Sequence, residues 1–145
     1  MAAGRKFRFG AQVYWAPNAT AWTSKACKIA DLGYSSLLMP DHFNETFGPL
    51  VALMRAALAA PSLRIGTLVL DNDFRHPVEL AKELATLDLM SDGRLELGLG
   101  AGWMLTDYQQ SGIPYDSPQV RIDRFEESIA ILKGLFSEGP LFFCW

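Results

Sequence analysis

The strongest constraint on this chain is a rhythm. Strand-like runs begin at Phe7 (FRFGAQV), Ser35 (SSLLMP), Leu63 (LRIGTLVL) and Arg94 (RLELGLG), roughly 30 residues apart, the length that a βαβ unit needs. Helix formers fill the intervals. TAWTSKACKIADLG reads as a helix with Thr20 or Thr23 as N-cap and Gly33 just past its end. GPLVALMRAALAA carries Pro49 in its first turn. HPVELAKELATLDLMSDG places Pro77 at its first helical position and repeats Leu80, Leu84 and Leu87 at helical spacing. From Gln119 to Phe136, the residues Ile122, Phe125, Ile129, Leu132 and Phe136 recur at steps of three or four and predict a fourth amphipathic helix. The preceding WMLTDYQQSGIPYDSP shows no helical apolar face and reads as a loop.

The predicted order is βαβαβαβα. Runs such as SSLLM and RIGTLVL are mostly apolar, which predicts strands buried on both faces of a parallel sheet covered by helices. Two α/β architectures fit: an open, doubly wound sheet of four strands, or the first half of a (β/α)8 TIM barrel, which takes ~250 residues. The closing FSEGPLFFCW is an apolar burst after a Gly-Pro turn, as if a further segment were starting. It favours the half-barrel, with residues 1–145 as one truncated domain. Strands one and four would be unpaired edges, so a homo-oligomer or association with a complementary half-barrel is expected.

Charge and composition narrow the partners. The net charge is −3 and no Lys/Arg run occurs, which argues against nucleic acid or an anionic membrane. No apolar run reaches the roughly 18 residues that span a bilayer, and MAAGRKFRFG lacks the apolar core of a secretory signal. Cys27 and Cys144 form neither a disulfide framework nor a metal pattern. A cytoplasmic setting and a small-molecule substrate are the expectation, with no metal.

In either architecture, sites collect at the C-terminal ends of the strands. Those ends read QVYWAPN, MPDHFNETF, VLDNDFRHP and GAGWMLTDY. Asp41-His42 is the richest pair: a histidine there can act as general base or hydrogen-bond donor, with Asp41 tuning its charge. Neighbours on an extended chain point opposite ways, however, and Asp41 could instead cap the next segment. His76, before Pro77, reads as a loop residue. Asp71, Asn72 and Asp73 resemble the start of a calcium loop but lack its glycine and distal glutamate, so calcium is rejected. Arg75 could pair with a carboxylate or a phosphate. GLGAG is not the dinucleotide fingerprint, because no helix pattern follows it. Its glycines mark either close packing or a backbone cleared for a bulky planar ligand.

Taken together, FRFGAQ, LGYSSLLMPDHF, the run from Leu63 to Trp103, and YDSPQVRIDRFEESIAILKGLF resemble the N-terminal half of the luciferase-like monooxygenase superfamily. The resemblance covers about Phe7 to Phe136 and is closest to the branch that uses the deazaflavin coenzyme F-420. It implies an eight-stranded barrel, usually about twice this length and often dimeric, with the cofactor at the C-terminal strand ends. It implies an oxidoreductase moving hydride between coenzyme F-420 and a small organic substrate, or alternatively an FMN-dependent monooxygenase, or a truncated fragment that is inactive alone. By the same resemblance, Asp41 and His42 match the pair facing the deazaflavin in the sugar-phosphate dehydrogenases, where the histidine takes the substrate hydroxyl proton. Leu68-Val69 matches the position of a non-proline cis peptide against the cofactor's face, and Gly100, Ala101 and Gly102 match the backbone passing the ring. Those dehydrogenases place a proton-donating glutamate next; here Trp103 stands there and can only stack or wall a pocket. Sugar-phosphate oxidation is therefore not expected. The loops that hold the cofactor's phosphate in such relatives follow later strands and are absent from this sequence.

Overall fold

The structure, a computed structural model, describes residues 7–44 and 46–137. The strands are β1 (Gly10–Gln12), β2 (Ser36–Met39), β3 (Arg64–Thr67), β4 (Leu70–Asp71), β5 (Leu95–Glu96) and β6 (Leu99–Gly100). The helices are α1 (Ala19–Asp31), α2 (Pro49–Ala59), α3 (Pro77–Met90), α4 (Leu105–Ser111) and α5 (Pro118–Leu135), with a 3-10 turn at Asn72–Phe74. The third and fourth predicted strands are each split in two. β3 and β4 are separated by Leu68-Val69, whose peptide bond is cis.

All pairings are parallel, and the main sheet runs β1-β2-β3-β5. A second, two-stranded ladder joins β4 to β6. This order is sequential and never reverses, whereas a doubly wound sheet reverses at its switch point. Right-handed crossovers in one direction put the connecting helices α1, α2 and α3 on one side, so the chain is the α/β half-barrel of the two expected architectures. The final apolar run, including Cys144, lies outside the described residues.

Register explains which side is dry. Leu37 pairs with Ile65, and Ile65 with Leu95. With Met39, this set packs beneath the helices against Trp22, Ala26, Ile29, Leu53 and Ala56. Trp22 is buried and donates its Nε1–H to the Ala52 carbonyl at 2.9 Å, tying α1 to α2. A second cluster joins α3, β4 and α5 through Leu70, Leu80, Leu84 and Leu132.

The opposite face corrects the expectation of strands apolar on both sides. Ser36 and Arg64 pair there in register, and both hydrogen-bond to Glu96, at 3.0 and 2.8 Å. Arg8 reaches the same carboxylate at 2.5 Å. Burial pushes the Glu96 carboxyl up, but hydrogen bonds from Arg8, Ser36 and Arg64 together outweigh it and hold it below the usual range. In β2, β3 and β5 one face is thus oily, and the other carries the polar cluster of Ser36, Arg64 and Glu96.

Helix details also differ from expectation. The N-cap of α1 is Asn18, whose side chain accepts from the Ala21 N–H at 2.9 Å. Thr23 lies inside the helix and donates back to the Ala19 carbonyl. His76 caps α3, with Nδ1 accepting from the Val78 N–H at 3.3 Å. In α5 the buried positions are Arg121, Ser128, Ile131 and Leu132, while Ile122 and Phe136 are exposed. Only part of the predicted apolar face is therefore the packed one. The supposed loop after Trp103 contains α4, closed by Gly112 at φ 75°.

Candidate functional site

Strand termini place the site. β2 ends into Asp41-His42, β3 into the Leu68-Val69 bulge and β6 into Gly100–Trp103. A cleft of about 320 Å³ is lined by Asp41, His42, Leu68, Val69, Leu70, Asp71, Gly100, Ala101, Gly102 and Trp103. All eight residues nominated from sequence meet there, joined by Leu70 and Asp71. A larger cavity of about 790 Å³ lies between α2 and α3. Its lining is mostly aliphatic, with Arg55, Glu79, Lys82 and Glu83 at the edges, and no nominated residue is near it.

Asp41 and His42 do not work on each other. The buried Asp41 carboxylate takes a two-pronged ion pair from Arg75, at 2.5 and 3.0 Å, and accepts from the Asp71 N–H at 3.1 Å. Burial opposes the charge on Arg75, but Asp41 outweighs it, so the guanidinium is held more firmly protonated than usual. Arg75 is thus committed to a carboxylate. His42 points the other way, with Nδ1 2.7 Å from Oδ2 of Asp107. Oδ1 of Asp107 accepts from the Phe43 N–H at 3.1 Å. The Asp107 side chain is 3% exposed and the His42 ring 21%. Asp107 sits in the first turn of α4, so missing that helix meant missing the histidine's partner. A usable signal existed in Gly112, whose left-handed φ after QQS marks a helix end.

The rest of the wall is apolar and open. Leu68 is 48% exposed, Val69 39% and Trp103 70%. The Trp103 ring meets the His42 ring edge-on, with centroids 6.1 Å apart. Gln12 reaches across from β1 to donate to the Leu68 carbonyl at 3.3 Å.

Behind the cleft lies a buried polar network. The Tyr108 hydroxyl donates to Asp73 at 2.9 Å and lies 3.3 Å from both oxygens of Asp71. Arg124 pairs with Asp73 at 2.9 Å and also with Asp116. Burial pushes the Asp71 carboxyl up, and the negative charge of Asp73 adds to it. Burial and hydrogen bonding to Asp73 likewise raise Tyr108. The Arg121 guanidinium lies 4.1 Å from the centre of the Tyr115 ring.

The glycines answer to this interior. A Cβ on Gly98 would come within 2.4 Å of the Thr67 carbonyl oxygen, and one on Gly100 within 2.8 Å of Val69 Cγ2. Gly102 has φ +74°, and its Cβ would fall 1.9 Å from the Tyr108 hydroxyl and 2.6 Å from Asp71 Oδ2. The requirement for glycine is thus close packing of the chain on itself, one of the two alternatives that the spacing left open. Gly100, Ala101 and Gly102 still line the cleft.

These residues fit the ring of a flavin-like group and not its phosphate. Exposed aliphatic and indole surface suits a flat apolar face, and His42 offers one ring nitrogen to its edge. No Lys or Arg lines the cleft. Among the described residues, no group of three or more His, Cys, Asp or Glu side chains is placed to hold a metal ion, and no helix is long and apolar enough to cross a membrane.

Residues 7–143 match the family model described as luciferase-like monooxygenase. The F420-dependent glucose-6-phosphate dehydrogenase of Amycolatopsis mediterranei is 31% identical over 126 residues, covering 81% of this chain and 38% of that protein. The FMNH(2)-dependent dimethylsulfone monooxygenase of Pseudomonas fluorescens is 28% identical, covering 90% and 42%. The fold is that of a solved F420-dependent secondary alcohol dehydrogenase, with TM-score 0.80 and 24% identity over 94% of this chain and 44% of that one. The chain therefore spans about two fifths of the length of these relatives. Coverage, order of elements and strand-end chemistry agree, and the chain belongs to the luciferase-like monooxygenase family.

Proposed function

We propose that the cleft at the strand ends seats the ring of a deazaflavin, coenzyme F-420, in an oxidoreductase that moves hydride to or from a small organic substrate. The carrying observation is that Leu68, Val69 and Trp103 present exposed apolar surface around one cleft that His42 enters. Bound there, a deazaflavin supplies hydride chemistry at C5 without oxygen activation. The chain's own part is positional. Leu68 and Val69 support one face of the ring and exclude water from it. The backbone from Gly100 to Gly102 runs along the cleft, held by the Tyr108–Asp71 contacts behind it. His42 holds or accepts a proton of the substrate at Nε2. Trp103 walls the opening and cannot serve as an acid. The carboxylates about the cleft are all engaged: Asp41 by Arg75, Asp71 by the Tyr108 hydroxyl and the Asp73 N–H, and Asp107 by His42 and the Phe43 N–H, which supports a substrate other than a sugar phosphate.

A second reading, an FMN-dependent monooxygenase, is favoured by the dimethylsulfone relative, which covers 90% of this chain. The strand edges at β1 and β5, unpaired among the described residues, support association with a second copy or a complementary half-barrel, and we place the protein in the cytoplasm. Parallel titrations of the purified chain with coenzyme F-420 and with FMN, followed by absorbance and fluorescence, test the assignment. Saturable binding of F-420 with weaker binding of FMN is expected. The reverse preference would support the monooxygenase reading, and no binding of either would overturn both for this chain.

A further inference from the structure

Asp107 has a task that the cleft alone does not reveal. Its carboxylate is buried, and Oδ1 is already engaged by the Phe43 N–H. An ionised carboxylate has only acceptor positions. What it offers His42 at 2.7 Å through Oδ2 is therefore another acceptor, and Nδ1 must carry the hydrogen. The backbone that carries the ring is anchored, because Thr46 Oγ1 donates to the His42 carbonyl at 2.6 Å and the Phe43 ring packs on Phe74 with centroids 4.5 Å apart.

We propose that Asp107 is a positioning residue that fixes His42 in the Nδ1–H tautomer, so that the nitrogen presented to the cleft, Nε2, is a bare acceptor and base. The inference rests on the reading of His42 as the proton-handling group of the site. It concerns a different residue and is measured without cofactor. It also sets the direction of the first proton transfer at neutral ring charge: Nε2 takes a proton from a hydroxyl or similar donor and has none to give until it has done so. Asp107 would then face the imidazolium that results.

The sequence supplies its own control. It contains two histidines, and the other, His76, accepts from the Val78 N–H through Nδ1. A ring that accepts at Nδ1 carries its hydrogen at Nε2 when neutral. The two histidines should therefore show opposite tautomers.

The test is long-range 15N–1H correlation on ring-labelled histidine in the whole chain, at a pH where both rings are neutral, with His76→Asn assigning the signals. The wild type should show one ring of each tautomer, with His42 as the Nδ1–H form. Asp107→Asn should invert it: Oδ1 keeps the Phe43 N–H, the amide NH2 takes the place of Oδ2, and a donor now faces Nδ1. Circular dichroism should show the fold unchanged. An Nε2–H ring at His42 in the wild type overturns the proposal, and so does an Nδ1–H ring surviving in Asp107→Asn. Should that variant not fold, the wild-type spectrum still decides. Failure of F-420 to bind would count against the function proposed above and leave this result standing, so the two readings fail separately.

Discussion

Replacing Gly102 by alanine should be far costlier than replacing another left-handed glycine. Gly112 has φ +75° and nothing within 4 Å of where its Cβ would stand. Gly112→Ala meets only the left-handed penalty, about 1–2 kcal/mol. Gly102 has nearly the same φ, +74°, but its Cβ would land 1.9 Å from the Tyr108 hydroxyl. That hydroxyl must move, giving up its bond to Asp73 and its contacts to Asp71. Leaving such buried groups unsatisfied costs about 1–3 kcal/mol. The two contributions together predict a loss of about 2–5 kcal/mol for Gly102→Ala. Urea denaturation followed by tryptophan fluorescence measures both variants, read as a shift in midpoint at unchanged slope. Adding Tyr108→Phe should recover about 1–2 kcal/mol as a coupling between neighbouring sites. If Gly102→Ala costs no more than Gly112→Ala, the network behind the cleft is not what demands a glycine there.

Two further substitutions probe the frame around the site. Glu96→Gln should lower stability by less than about 1 kcal/mol at neutral pH, since the partners are partly exposed. Glu96 is held below its unfolded value of 4.5, so its contribution is present above that value and lost as pH falls through the folded pKa. The difference between wild type and Glu96→Gln should therefore shrink in acid, and a gap independent of pH would contradict the assignment. Asp41→Asn leaves Arg75 half-buried without its charge partner and should cost about 2–3 kcal/mol, below the full penalty for a completely buried pair, measured by the same denaturation.

Much of this architecture was legible in the sequence, for a physical reason. Apolar runs bounded by helices with Pro at their first turn leave little choice of element order, and Pro49 and Pro77 both stand where the sequence placed them. The face of α5 was harder. Ile122 and Phe136 look like core residues by spacing, yet they are exposed while Arg121 is buried, its guanidinium lying against the ring of Tyr115. Residue type does not announce such a partner. The glycines show the same limit. A glycine marks close approach without saying of what, and for Gly98, Gly100 and Gly102 the approaching atoms belong to Thr67, Val69, Asp71 and Tyr108. Asp107 was missed for a third reason: α4 has seven residues, too short for a periodic pattern to emerge, and Gly112 alone marked its end.

The seating of a flat ring between the Leu68-Val69 bulge and Trp103 is the central claim, and one comparison reaches it directly. Coenzyme F-420 is titrated against the wild type and against Leu68→Glu, a substitution at a half-exposed position that puts a charge into the cleft without burying it. Saturable binding by the wild type and its loss in Leu68→Glu, with circular dichroism unchanged, is the predicted result. Equal affinity in the two proteins would contradict the account.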